Sequence, residues 1–204
     1  MTSTRERILA EAARQLLVNG YAAFTMASVR DALSLSSGSV FHAFASKPSL
    51  AAAVYVEGMA AYQRAATAAM RRHDHAEKAL RDFVATHLAW VEDHTDLARF
   101  LFTTLPREVA VEAGTRLDEL NAGYFAAEKE LFARAAEARL MAEIPRPLAH
   151  ALCIGPAQEY ARLWTRGTSL LPPRHVTRRL EDAAIAALAS TLPRTLPTTR
   201  KERR

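Results

Sequence analysis

With one cysteine in 204 residues, Cys153, the chain has no internal disulfide, a usage that fits a reducing compartment. No apolar run reaches the roughly 18 to 20 residues that a membrane span needs, and no charged, apolar and small-residue leader opens the chain, so a cytoplasmic protein without membrane contact is expected. Alternating apolar and polar stretches and Asn-Gly turns are missing, which argues against a sheet. Neither a glycine-rich phosphate loop, nor a nucleophile with its base, nor spaced carboxylates stand out, so no catalytic residues are expected and an enzyme is disfavoured. His73 and His75 sit i, i+2 and face apart on a helix, so they do not share a metal; no metal or cofactor is expected.

What is present is apolar. Half of the residues are hydrophobic, enough to bury a core in one large or two small domains. The net charge is +5, but Arg194, Arg200, Lys201, Arg203 and Arg204 against Glu202 put +4 of it into residues 193–204, leaving the body near +1. Bulk charge therefore does not argue for DNA. The tail, with Pro193 and Pro197, reads as a solvated, disordered extension, either a solubilising end or a non-specific phosphate-binding arm.

Three- and four-residue apolar spacing recurs along nearly the whole chain and predicts an all-α protein. A first helix is expected from Thr4 to Asn19, with Ile8, Leu9, Ala12, Ala13, Leu16 and Leu17 inward and Gly20 as its stop. A short second helix begins at Thr25 and carries Val29, Ala32 and Leu33 on one stripe, ending near Leu33. Further helices are expected around Leu80 to Val91, over Leu97 to Leu101, from about Pro106 to Met141, over 147–166 with a bend at Gly155-Pro156, and after Pro172-Pro173 with Leu180, Ala183, Ala184, Ala187 and Leu188 on one side.

The stretch SLSSGSVFHAFASK, residues 34–47, opens a helix with poor helix formers. At 100° per residue with Val40 at zero, Ala43 and Phe44 fall within about 60° of it, Gly38 and His42 lie opposite at about 160° and 200°, and Phe41 and Ser39 flank. Two short helices, the second presenting a small, polar face, form the pattern of a helix-turn-helix. Ser46 then caps a helix of about 25 residues from Lys47 to Arg72. Lys47, at the positive end of that helix, is misplaced by a few tenths of a kcal/mol unless an anion binds there.

Residues 4–54 resemble the N-terminal DNA-binding domain of the TetR family of bacterial transcriptional regulators. The resemblance is carried by the start with Ile8-Leu9, Ala12-Ala13, Leu16-Leu17 and Gly20-Tyr21, by Phe24-Thr25, Ser36-x-Gly38-Ser39, the aromatic-His-x-Phe run of residues 41 to 44, and Ser46-Lys47-x-x-Leu50. It implies that the helix entered at Ser36 lies in a major groove with Ser37, Gly38, Ser39 and His42 nearest the bases, and that Thr25, Phe41 and Lys47 meet phosphates. Small residues at its start let the backbone approach DNA closely. The sequence departs from the family pattern at Phe41, where a tyrosine hydroxyl is usual, at Ser34, where a turn glycine is usual, and at Leu33 and Arg30, where alanines are common. Arg30 either reaches a phosphate or is solvated.

The resemblance implies a domain over 1–48, a helical effector-binding and dimerisation domain over 49–192, and the tail over 193–204. It also implies a homodimer through the last two long helices, bound to a near-palindromic double-stranded operator and released by an unknown small-molecule effector. Phe83, His87, Trp90, Phe100, Tyr124 and Tyr160 either line the effector cavity or are plain core, His87 being expected hydrogen-bonded within it. An alternative is a helical ligand-binding or interaction protein with weak or lost DNA binding, which the near-neutral body and Phe41 favour.

Overall fold

The computed structural model describes residues 2–102, 105–168 and 170–193, and every regular element among them is a helix. In chain order these are α1 (Thr4–Ala23), α2 (Met26–Ala32), α3 (Ser37–Ala43), α4 (Lys47–Arg71), α5 (Ala76–Asp93), α6 (Thr95–Leu101), α7 (Arg107–Glu137), α8 (Arg146–Thr165) and α9 (Pro173–Ala189). The basic residues of the tail, 194–204, lie outside the described residues.

The N-terminal helices start where the sequence supplies caps. Ser3 with Glu6, Thr25 with Ser28 and Ser46 with Ser49 each form a reciprocal capping box, and the Ser36 side chain accepts from the Ser39 amide. Gly20 leaves helical geometry at φ 73°, where a side chain is disfavoured, and one further turn follows before Phe24. The α2–α3 turn closes as a Schellman motif: Leu35 N–H donates to Arg30 O and Ser34 N–H to Asp31 O, at 3.1 and 3.2 Å. That motif needs a left-handed residue, and Ser34 supplies it at φ 52° without being glycine.

Two cores form, and α4 belongs to both. Ile8, Leu16, Phe24, Val29, Val40 and Phe44 pack around Leu50 to Val54 of α4, with Val109 and Ala113 of α7 closing the set. Past Tyr55, the other end of α4 packs with α5, α7, α8 and α9 around Leu80, Phe83, Leu88, Leu131 and Ile154. At Gly58 a Cβ would stand 2.9 Å from Leu97 Cδ1 and 3.2 Å from Leu101 Cδ2, so the missing side chain lets α6 lie directly on α4. Arg134 of α7 ties off the far end of α4, donating to the carbonyls of Met70, His73 and Asp74 at 2.7 to 3.2 Å.

The structure corrects several expectations. Ala32 is exposed, because seven residues give α2 only a narrow inward stripe on which Val29 alone is fully buried. Ala13 and Leu17 are half-buried, while Gln15 is buried instead, satisfied by Ser28 Oγ and by Glu11. α7 stops at Glu137, not Met141, because Arg139 turns left-handed at φ 56° and closes a second Schellman motif through Leu140 N–H to Ala135 O. Ala183 faces outward, off the side that buries Ala184 and Leu188.

Replacing Ser34 by Gly should stabilise the protein by about 0.5 to 1 kcal/mol, since relief of the left-handed penalty exceeds the extra entropy of the unfolded chain. Urea melts compare the two; a Ser34→Gly variant that melts earlier would show that the serine side chain stabilises the turn.

Candidate DNA-binding surface and effector region

The outward side of α3 follows from its inward side. Val40 and Phe44, 1 % and 5 % exposed, anchor the helix to α1 and α4, and this leaves Ser37, Gly38, Phe41 and His42 in solvent. Ser39 is half-buried on the flank, and its hydroxyl sits 2.9 Å from that of Ser36. Since one of these hydroxyls donates to the other, the pair keeps a single free O–H proton. Thr25 Oγ1 accepts the cap bond from Ser28 at 3.0 Å and retains its own proton for an incoming oxygen. Phe41 is 53 % exposed, an aromatic ring held in water beside the polar face.

Arg30 and Lys47 are neither free nor buried. Arg30 donates to Ser37 Oγ at 3.2 Å and pairs with the exposed Asp31 at 2.6 Å, so α2 is wired to the first turn of α3. Lys47 Nζ stands 4.4 Å from the Tyr21 ring centroid and donates to Ala22 O at 3.4 Å. The ring face and the carbonyl offset part of its misplacement at a helix N-terminus. Tyr21, Ala22 and Asp31 are the surface partners that sequence reasoning missed, and no spacing signal joins them to residues 30 and 47.

The effector-region candidates divide into four groups. Phe83 packs edge-on against Tyr124 at 6.5 Å, and Phe100 against Tyr55 at 5.9 Å. Trp90 packs on Tyr62 at 5.2 Å and His87 on the same ring at 5.6 Å, with Phe102 against all three. Tyr160 stands apart near the surface, its hydroxyl donating to Leu171 O at 2.8 Å.

His87 is hydrogen-bonded in the core as expected: Nδ1 lies 2.9 Å from the Tyr62 hydroxyl, while Nε2 is sealed from water without a partner. Nearby is a group that sequence analysis did not pick out, the carboxylate of Glu128. It is fully buried and held by Arg146 at 2.6 Å and His150 at 2.5 Å, both from the start of α8. Burial raises the Tyr62 and Tyr124 hydroxyl pKa values well above the ordinary tyrosine range, Glu128 adding to the shift, and pushes the Cys153 thiol up to about 12. That thiol is therefore inert.

Residues 8–54 match the family model described as bacterial regulatory proteins, tetR family. No curated protein matches the chain. Solved structures share the fold over most of its length. A tetR-family regulatory protein from Rhodococcus RHA1 is 22% identical with a TM-score of 0.69, covering 92% of this chain and 98% of its own. The TetR-family regulator PfmR from Thermus thermophilus is 21% identical with a TM-score of 0.67, covering 88% and 97%. The regulator FadR from Bacillus subtilis, solved in complex with stearoyl-CoA, is 14% identical with a TM-score of 0.73, covering 89% and 97%.

Burial holds the His87 pKa down at about 4 in the fold, against 6.5 for the free side chain, with the charge of His150 a smaller contribution. As pH falls through 6.5 the unfolded chain takes up this proton first, so the stability present above pH 6.5 is lost progressively toward pH 4. Between about pH 7.5 and 5 the wild type should lose about 2 kcal/mol more than a His87→Gln variant in urea melts. Equal losses would mean that the imidazole charges freely inside the fold.

Proposed function

We propose that this chain, which carries the tetR-family domain of bacterial regulatory proteins in residues 8–54, is a dimeric, ligand-responsive repressor of transcription. One observation carries the DNA-binding reading: burial of Val40 and Phe44 turns Ser37, Gly38 and His42 outward on α3. A side of that size and polarity suits a major groove, where an imidazole and a hydroxyl read base edges and a glycine permits close approach. Thr25, Ser36 and Ser39 contribute hydroxyls to phosphates or bases, and Arg30 and Lys47 contribute charge once a phosphate outcompetes Asp31 and the Tyr21 ring.

The exposed small residues of α9, Ala183 and Ala186, and the exposed Leu148 of α8 support dimerisation through these two helices, each subunit presenting one reading head. Two such heads require a near-palindromic operator with half-sites about one helical turn apart, roughly 34 to 36 Å, or a multiple or stretched version of it. Release by a small molecule follows from α4, which enters both cores: an effector favouring another position of α4 displaces the α3 face at its N-terminal end, and a coupling of about 1 to 3 kcal/mol suffices. A fold relative solved with stearoyl-CoA supports a ligand in this architecture. Phe41 and the tethered Lys47 favour a second reading, a helical ligand-binding protein with weak DNA affinity.

Selection of bound duplexes from a random pool decides between the two: enrichment of an inverted repeat is expected, and a pool that stays random would remove the repressor reading. On the selected site, His42→Ala should cost about 1 to 3 kcal/mol and relax discrimination at one position per half-site. Lys47→Ala should weaken binding to all sequences alike and lower the salt slope by about 1 per subunit, read from gel shifts at several salt concentrations.

A further inference from the structure

We infer that the groove between α4 and α7 binds a small amphipathic anion carrying an N–H or O–H donor, and that this molecule is the effector; the second half of the statement rests on the proposed function. The groove encloses about 440 Å³, in the range that holds one drug-sized ligand. Its walls are small and apolar, with Ala60 and Ala68 on α4 facing Leu120, Gly123 and the ring of Tyr124 on α7.

Charge sets the sign of the ligand. Arg64 and Arg71 line the groove and no carboxylate does. Among the described residues Arg64 makes no hydrogen bond or ion pair, so its charge is available. Arg71 shares its guanidinium with Glu130 at 3.0 Å, a pair more than half exposed on both sides that a ligand acid can replace. Beyond it Arg134 is already committed to the carbonyls that end α4.

The donor requirement comes from Gln63. Its Nε2 donates to Asn121 Oδ1 at 2.7 Å, whereas its Oε1 is sealed from water and has no partner, although the residue lines the groove. Turned toward the groove, this carbonyl oxygen accepts from a donor on the bound molecule, which ends its unpaired state. Tyr124, the opposite wall, is the neighbour of the buried Glu128 cluster, so a ligand seated here presses on α4 on one side and on the α7–α8 junction on the other.

A matched pair of fluorescent probes tests this on the full chain without DNA. 8-Anilinonaphthalene-1-sulfonate has an apolar body, an N–H donor and an anion; N-phenyl-1-naphthylamine has the same skeleton without the sulfonate. The sulfonate should saturate one site per chain and bind at least about tenfold more tightly than the neutral probe. An Arg64→Gln, Arg71→Gln double variant, both sites being on the surface, should bring the two probes to equal affinity with an unchanged melting temperature. Gln63→Leu should weaken both probes by several-fold. Equal affinities on the wild type, or a gap that survives in the double variant, would overturn the site. Because no DNA is present, these titrations stand apart from the operator selection. Should the sulfonate bind as expected and leave operator affinity unchanged, the groove is upheld and its effector role is overturned.

Discussion

Helix α4 has to satisfy two hydrophobic cores with one rigid rod. Leu50 to Val54 and Val56 are as deeply buried against the N-terminal helices as Tyr62, Ala66 and Met70 are against the C-terminal ones. A continuous helix does not bend to suit both cores independently, so a shift in its seat in one core is felt in the other. Helix α3 is anchored at one end of this rod through Val40 and Phe44, and the arginine-lined groove lies along the other. Gly58, between them, lets Leu97 and Leu101 of α6 pack directly on the rod.

The C-terminal core carries an electrostatic load that an ordinary helical core lacks. Glu128, without exposure, is paired with Arg146 and His150 reaching in from α8, and breaking such a pair on one side leaves a buried charge that costs several kcal/mol. The same core seals His87 Nε2 and Gln63 Oε1 without partners. Three uneven polar sites within one domain make its packing dependent on α4, α5, α7 and α8 keeping register.

On the surface side, the polar residues are less available than a bare list of side chains suggests. Ser36 and Ser39 bond to each other, Arg30 is held by Asp31, and Lys47 lies on Tyr21. Each of these contacts is exposed, hence weak.

Local chemistry was legible from the residues alone. The caps at Thr25, Ser36 and Ser46, the stop at Gly20, the strained Ser34 and the outward His42 all depend on atoms within a few positions along the chain, where helical periodicity and capping operate. The boundary at Arg139 escaped because a left-handed cap at a non-glycine residue has no compositional mark. What only the tertiary structure decided are pairings across distant helices: Lys47 with Tyr21, Glu128 with Arg146 and His150, Gln63 with Asn121, and the groove between α4 and α7. Periodicity tells which side of a helix is buried but not which helix buries it, and a charge inside a core is tolerated only through the partner that helix brings.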